Sequence, residues 1–170
     1  MAVPHMVRNF TCFVKGSNKL GKVTSLTLPK LTRKTDSYRG GGMPGAVAVD
    51  LGLDDGALDA TAVFGGFMKD VIREYGGGID EVALRFAGEL YTDGDSQLCE
   101  IEMRGRITEI DMGEVKAGEN TSHTFALKNT YYKLSVDNTD LIEIDNLNLI
   151  EKVNGKSVVP DRIRSALGMG

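Results

Sequence analysis

Residues Leu98–Met112 read LCEIEMRGRITEIDM, and their period decides the fold. Cys99, Ile101, Met103, Gly105 and Ile107 fall on one face of an extended chain, and Glu100, Glu102, Arg104, Arg106 and Thr108 on the other. Strict alternation marks a strand with one buried face, because successive side chains point to opposite sides. A strand of this length reaches about 50 Å at ~3.3 Å per residue, against a usual five or six residues. The spacing therefore predicts a bulge or bend near Gly105 or Ile110, in a sheet larger than a small domain needs.

The same period recurs on both sides of this stretch. Asn9–Lys15 aligns Phe10, Cys12 and Val14, and Val82–Leu90 aligns Val82, Leu84, Phe86 and Leu90. Ala46–Leu53 aligns Val47, Val49, Leu51 and Leu53. Further strands are predicted at Val23–Leu28, Leu58–Phe64, Ser122–Val136, Leu141–Ile144 and Leu149–Val153, with an Asn-Gly turn at 154–155. Between Gly66 and Tyr75 the period changes: Phe67, Val71 and Tyr75 are spaced as one face of a helix, which Gly76–Gly78 ends. Pro160 opens a short C-terminal helix. The expected fold is mainly β: one domain over 1–170, a sandwich or barrel with one flanking helix, a short terminal helix and a long protruding hairpin.

The hairpin rests on Pro29–Gly45, PKLTRKTDSYRGGGMPG, which does not look like core. It carries four basic residues, two prolines and four glycines, and long loops in compact domains are commonly functional. If Val23–Leu28 pairs with Ala46–Leu53, this segment is the loop at the tip. Charge is distributed unevenly around it. Residues 1–45 hold eight basic residues and one acid, whereas 46–170 hold twelve and 23, for a total of −4. Three readings compete: a nucleic-acid site, a solvated loop, and an arm that meets acidic surface on another subunit. The negative net charge opposes the first. Proline and glycine boundaries favour the third, since such a loop lets a chain reach beyond its own core.

Catalytic patterns are missing from the sequence. His5 and His123 have no metal-ligand partner at a recognised spacing. Gly40–Gly42 and Gly76–Gly78 lack the Gly-Lys-Ser/Thr of a phosphate loop. Asp54/Asp55 and Asp93/Asp95 sit in turns, where Asp suits the backbone. Cys12 and Cys99 are expected as buried free thiols, made in a reducing cytoplasm. No apolar run approaches the ~18 residues of a membrane span, and MAVPHMVRNF has no apolar signal core. No cofactor, metal or enzymatic activity is expected. A ligand-binding β-sandwich is a rival class, but it would display stacking aromatics, and there is no Trp.

The stretches at 23–60, 82–91, 102–120 and 131–156 closely resemble the major tail tube proteins of P2-like contractile-tailed bacteriophages. They include KLTRKTDSYRGGGMPG, VALRFAGELY, EMRGRITEIDMGEVKAGEN and YYKLSVDNTDLIEIDNLNLIEKVNGK. The tubes of R-type bacteriocins are similar. The resemblance is colinear over nearly the whole chain. It implies a virion tail subunit, made in the host cytoplasm, that forms hexameric rings stacked into a hollow tube inside a sheath. Strands of six subunits would join around a lumen, with the hairpin reaching the neighbouring ring. Implied partners are further copies, the sheath, the baseplate and the tail terminator. The tube would penetrate the bacterial envelope without stable membrane insertion, and DNA would pass without specific binding. The alternative is the tube of a DNA-free bacteriocin or secretion-like injection system. On this footing residues 29–45 are expected to form an inter-subunit arm using Lys30, Arg33, Lys34, Tyr38, Arg39 and Met43. Glu100, Glu102, Arg104 and Arg106 are expected to face the lumen, which should be acidic or balanced in charge.

Overall fold

The computed structural model describes residues 2–169. In chain order the elements are β1 (Met6–Val14), β2 (Ser17–Asn18), β3 (Val23–Thr27), β4 (Arg33–Tyr38), β5 (Val47–Leu53), β6 (Ala60–Gly65) and α1 (Lys69–Ile72). There follow β7 (Val82–Thr92), β8 (Asp95–Asp111), β9 (Ser122–Val136), β10 (Thr139–Asp145), β11 (Ile150–Val153), β12 (Lys156–Ser157) and α2 (Asp161–Ala166). The main sheet runs β12-β11-β10-β9-β8-β7-β1-β2, and all of its pairs are antiparallel.

β9 makes this sheet into a sandwich. One edge lies along β8 for nearly its whole length. The other edge is divided: residues 131–136 pair with β10, and residues 122–127 pair with β6, which carries β3. The division falls at Asn129, opposite Gly105, where the β8–β9 register shifts. A second shift follows between Ile107 and Glu109. Both bulges lie in the region where the length of the strand demanded them, since bulges add local twist and bend. A Cβ on Gly105 would collide with the Lys128 carbonyl oxygen and sit 2.6 Å from Asn129 Cα, so the bend requires glycine. The sheet bends without closing into a barrel, and the two halves face each other.

Between them lies one apolar core. Phe64 and Phe125 meet edge to face at 5.5 Å, joined by Cys12, Val82, Met103 and Ile107. The buried face of β8 is the one its alternation predicts.

Two expectations need correcting. Val23–Leu28 was expected to pair with Ala46–Leu53, but β3 pairs with β6. The partner of β5 is β4, which lies inside the expected loop, and the two form a separate two-stranded sheet. Lys34–Tyr38 is polar, but the inward-facing groups of its backbone pair with β5 along the Tyr38↔Val47 to Arg33↔Leu53 ladder. The helix expected over Gly66–Tyr75 is one turn long. Gly66 and Gly76 take positive φ (84° and 74°) and clip it, leaving Val71 buried while Phe67 and Tyr75 stay exposed.

Candidate assembly surfaces

The β4–β5 hairpin is rooted by Arg33. Its Nε donates to both oxygens of Asp50 (2.9 and 3.1 Å), and its Nη1 donates to Glu151 on β11. The hydrogen bond from Arg33, with that from the Gly52 N–H, holds the Asp50 carboxyl below its ordinary range. Arg33 thus ties hairpin to body.

At the other end the tip folds on itself. Arg39 donates to the carbonyls of Met43 (3.3 Å) and Pro44 (3.4 Å), and the Gly40 N–H points at Met43 Sδ (3.0 Å). Of the six expected arm residues, Arg33, Arg39 and Met43 therefore have roles within the arm. Lys30 and Lys34 are exposed and form no ion pair among the described residues, and Tyr38 is 61% exposed.

An apolar stripe accompanies them. Val47 is 49% exposed, Val49 44% and Leu51 60%, all on one face of β5, with Tyr38 directly opposite Val47. Sequence periodicity aligned these residues on one side of a strand. Period reports that one face is apolar, and not what covers it.

The polar face of β8 is a second surface. Glu102 and Arg104 are exposed, and Glu100 and Arg106 are half-buried. Register places Arg85, Glu102, Lys133, Glu143 and Lys152 directly opposite one another across β7 to β11, with alternating sign. Opposite charges in such pairs stabilise a sheet. The Arg104 guanidinium lies 4.2 Å from the Tyr131 ring centroid, and Arg85 reaches Glu100 at 3.5 Å. Arg106 lies past the bend, opposite Lys128, which pairs with Asp59. Glu100 and Glu102 therefore share one charge lattice, Arg104 lies beside it stacked on Tyr131, and Arg106 is outside it.

A protruding hairpin and a β face of alternating charge are thus the two surfaces that carry the predicted residues. Residues 4–168 match the family model of the phage tail tube protein FII. The chain belongs to the phage tail tube family. It is 63% identical to the major tail tube protein of Serratia phage KSP20 over 170 residues, all of this chain and 99% of that one. It is 46% identical to the tail tube protein of Escherichia phage P2 over 159 residues, 91% of this chain and 92% of that one. A chain in the cryo-EM structure of the anti-feeding prophage baseplate, 6-fold symmetrised, shares the fold. Its TM-score is 0.52, over 81% of this chain and 99% of that one, at 11% identity.

A tail tube protein is a structural component of the virion tail and not an enzyme, and its reactive side chains are accordingly enclosed. Burial pushes the Cys12 thiol up to about 11, and Cys99 is raised for the same reason. His123 is fully buried, edge-on to Phe67 at 4.5 Å. Among the described residues no group of three or more His, Cys, Asp or Glu could hold a metal ion. No helix there is long and apolar enough to cross a membrane.

Proposed function

We propose that this chain is the inner-tube subunit of a contractile phage tail. Six copies close a ring, rings stack into a hollow tube within the sheath, and the tube enters the bacterial envelope and conducts DNA. The observation that carries this is the apolar stripe of Val47, Val49 and Leu51 on a hairpin outside the core. A two-stranded hairpin is marginal alone, and exposed contiguous apolar surface marks an interaction site. The stripe and Lys30, Lys34 and Tyr38 dock on the adjacent ring. The arm is longer than 29–45, since β5 continues it to Leu53.

Open sheet edges support ring closure. The outer edge of β1 is paired only at Phe13 and Val14, and β8 loses β7 beyond Gly105. Such edges template further pairing, and a closed ring covers them. The symmetry of the assembly holding the structural neighbour supports six copies. Glu100, Glu102 and Arg104 line the lumen with the balanced lattice, and Arg106 lies beside it. Both relatives named are phage proteins, which supports DNA passage over a DNA-free injector. Sheath, baseplate and terminator proteins are the remaining partners.

Negative-stain microscopy of the purified protein tests this reading. Rings or hollow tubes are expected, with Glu102 on the inner wall in a cryo-EM map. A protein that stays monomeric at all concentrations, or a map with Glu102 on the sheath side, would overturn it.

A further inference from the structure

The far half of β8 has an edge that no strand covers. β7 pairs with β8 from Thr92↔Asp95 to Val82↔Gly105 and stops there. Among the described residues, 106–111 of β8 therefore have β9 on one side and no strand on the other. The segment 66–76 reaches that open side. Tyr75 makes an isolated bridge to Ile107, and the Gly76 N–H donates to the Ile107 carbonyl at 3.4 Å, a long hydrogen bond. A bare edge templates pairing with another chain, and proteins commonly cover such edges with a helix or loop.

The same segment covers His123. Phe67 lies edge-on to its ring at 4.5 Å but is itself 60% exposed. Both His123 ring nitrogens are buried and have no hydrogen-bond partner among the described residues. Orphaned polar groups are costly, and opening the segment would give them water. Of the segment's side chains only Met68 and Val71 are buried. Gly66 and Gly76 bound it at positive φ, with nothing within 4 Å of an added Cβ at either, so both ends are free to pivot. From outside it is held by charge. Lys15 donates to Glu74 at 2.8 Å, and Lys19 donates to Asp70. The Lys19 side chain is only 5% exposed, and its one other partner among the described residues is Ser17 Oγ at 3.1 Å. Without Asp70 its ammonium would be a buried charge lacking a counter-ion.

We propose that residues 66–76 are a latch: closed, they cap the β8 edge and His123, and open, they pivot on Gly66 and Gly76 and release that edge to a strand of a second copy. The outer edge of β1 has the matching length, since residues 6–12 are unpaired there against six residues on β8. The occupant rests on the ring-closure reading; the latch itself does not.

Diethyl pyrocarbonate labelling of the free full-length chain, read by mass spectrometry, tests the latch. His5, with its side chain 32% exposed, is the internal reference. Asp70→Asn strands the Lys19 ammonium and should label His123 about tenfold faster than wild type relative to His5, while β8 and β9 amides keep their exchange protection. A lock is made from Lys15→Cys with Glu74→Cys, joined by a cleavable bis-maleimide, because Cys12 and Cys99 are buried. Locked protein should label His123, and form rings or tubes, about tenfold more slowly than the same variant before cross-linking, and cleavage should restore both. Where Asp70→Asn unfolds the whole chain, the lock decides. His123 labelling that ignores the lock, or locked protein that assembles as fast as unlocked, would overturn the proposal. Wild-type protein that forms neither rings nor tubes overturns the ring-closure reading and leaves the latch to be judged on His123.

Discussion

Gly105 lies opposite Asn129 so closely that a Cβ at 105 would sit 2.6 Å from the Asn129 α-carbon. No rotamer change relieves a clash with backbone. Gly105→Ala is therefore expected to cost about 3 kcal/mol, or roughly 10 °C in Tm for a chain of this size. Calorimetry checks this, and an unchanged Tm would show that β8 and β9 part more easily than their register implies.

Replacing Val49 with Lys separates folding from assembly. The side chain is 44% exposed on the free subunit, so monomer stability should change by less than about 0.5 kcal/mol. In the tube the same position loses burial worth about 1.5–3 kcal/mol per subunit. Circular dichroism should look like wild type while sedimenting tubes disappear. Tubes of normal length would remove the stripe from the docking surface.

The Arg33 root gives a pH dependence with a definite sign. The Asp50 carboxyl is held below its ordinary value of 3.8, mainly by the Arg33 hydrogen bond. A depressed folded value stabilises above the unfolded one and is lost as pH falls through the folded one. The protection of β4 and β5 amides, measured against the intrinsic exchange rate at each pH, should therefore be steady near neutrality and fall below about pH 4. Arg33→Ala should exchange faster at neutral pH and lose that acid dependence.

Cys12 should resist alkylation in the folded protein at pH 8, where a thiol pushed up to about 11 is almost wholly protonated as well as buried. Iodoacetamide labelling followed by mass spectrometry should find it modified only after denaturation. Labelling of native protein would mean that the core opens locally.

Added salt should weaken tube assembly without dissolving the subunit fold, because exposed ionic contacts are screened at the ~8 Å Debye length of 0.15 M salt. Light scattering during assembly measures this. Indifference to salt would assign assembly to the apolar stripe and strand pairing alone.

The long strands were legible because Cys99–Ile107 alternates without interruption and needs no knowledge of its neighbours. The hairpin was not. Whether Val23–Thr27 or Arg33–Tyr38 pairs with Val47–Leu53 is decided by tertiary pairing, and both choices satisfy the same local pattern. Glycines and charges made Pro29–Gly45 look like a loop, and Lys34–Tyr38 is polar throughout, with no apolar alternation to mark it as a strand. Basic residues marked this segment as exposed, as Lys30 and Lys34 are. They could not show that Arg33 turns back to Glu151, nor that Val47, Val49 and Leu51 are the uncovered face, since an apolar alternation looks the same against a core and against solvent.

The row Arg85–Glu102–Lys133–Glu143–Lys152 would have a consequence for a polyanion moving across it. A polyanion is held by a surface when meeting unmatched cations releases its condensed ions. Here each cation in the row already has an anion beside it in the same sheet. Little ion release accompanies arrival, so little free energy opposes departure. A conduit walled this way would work as a bearing: smooth because the surface has already answered its own charges.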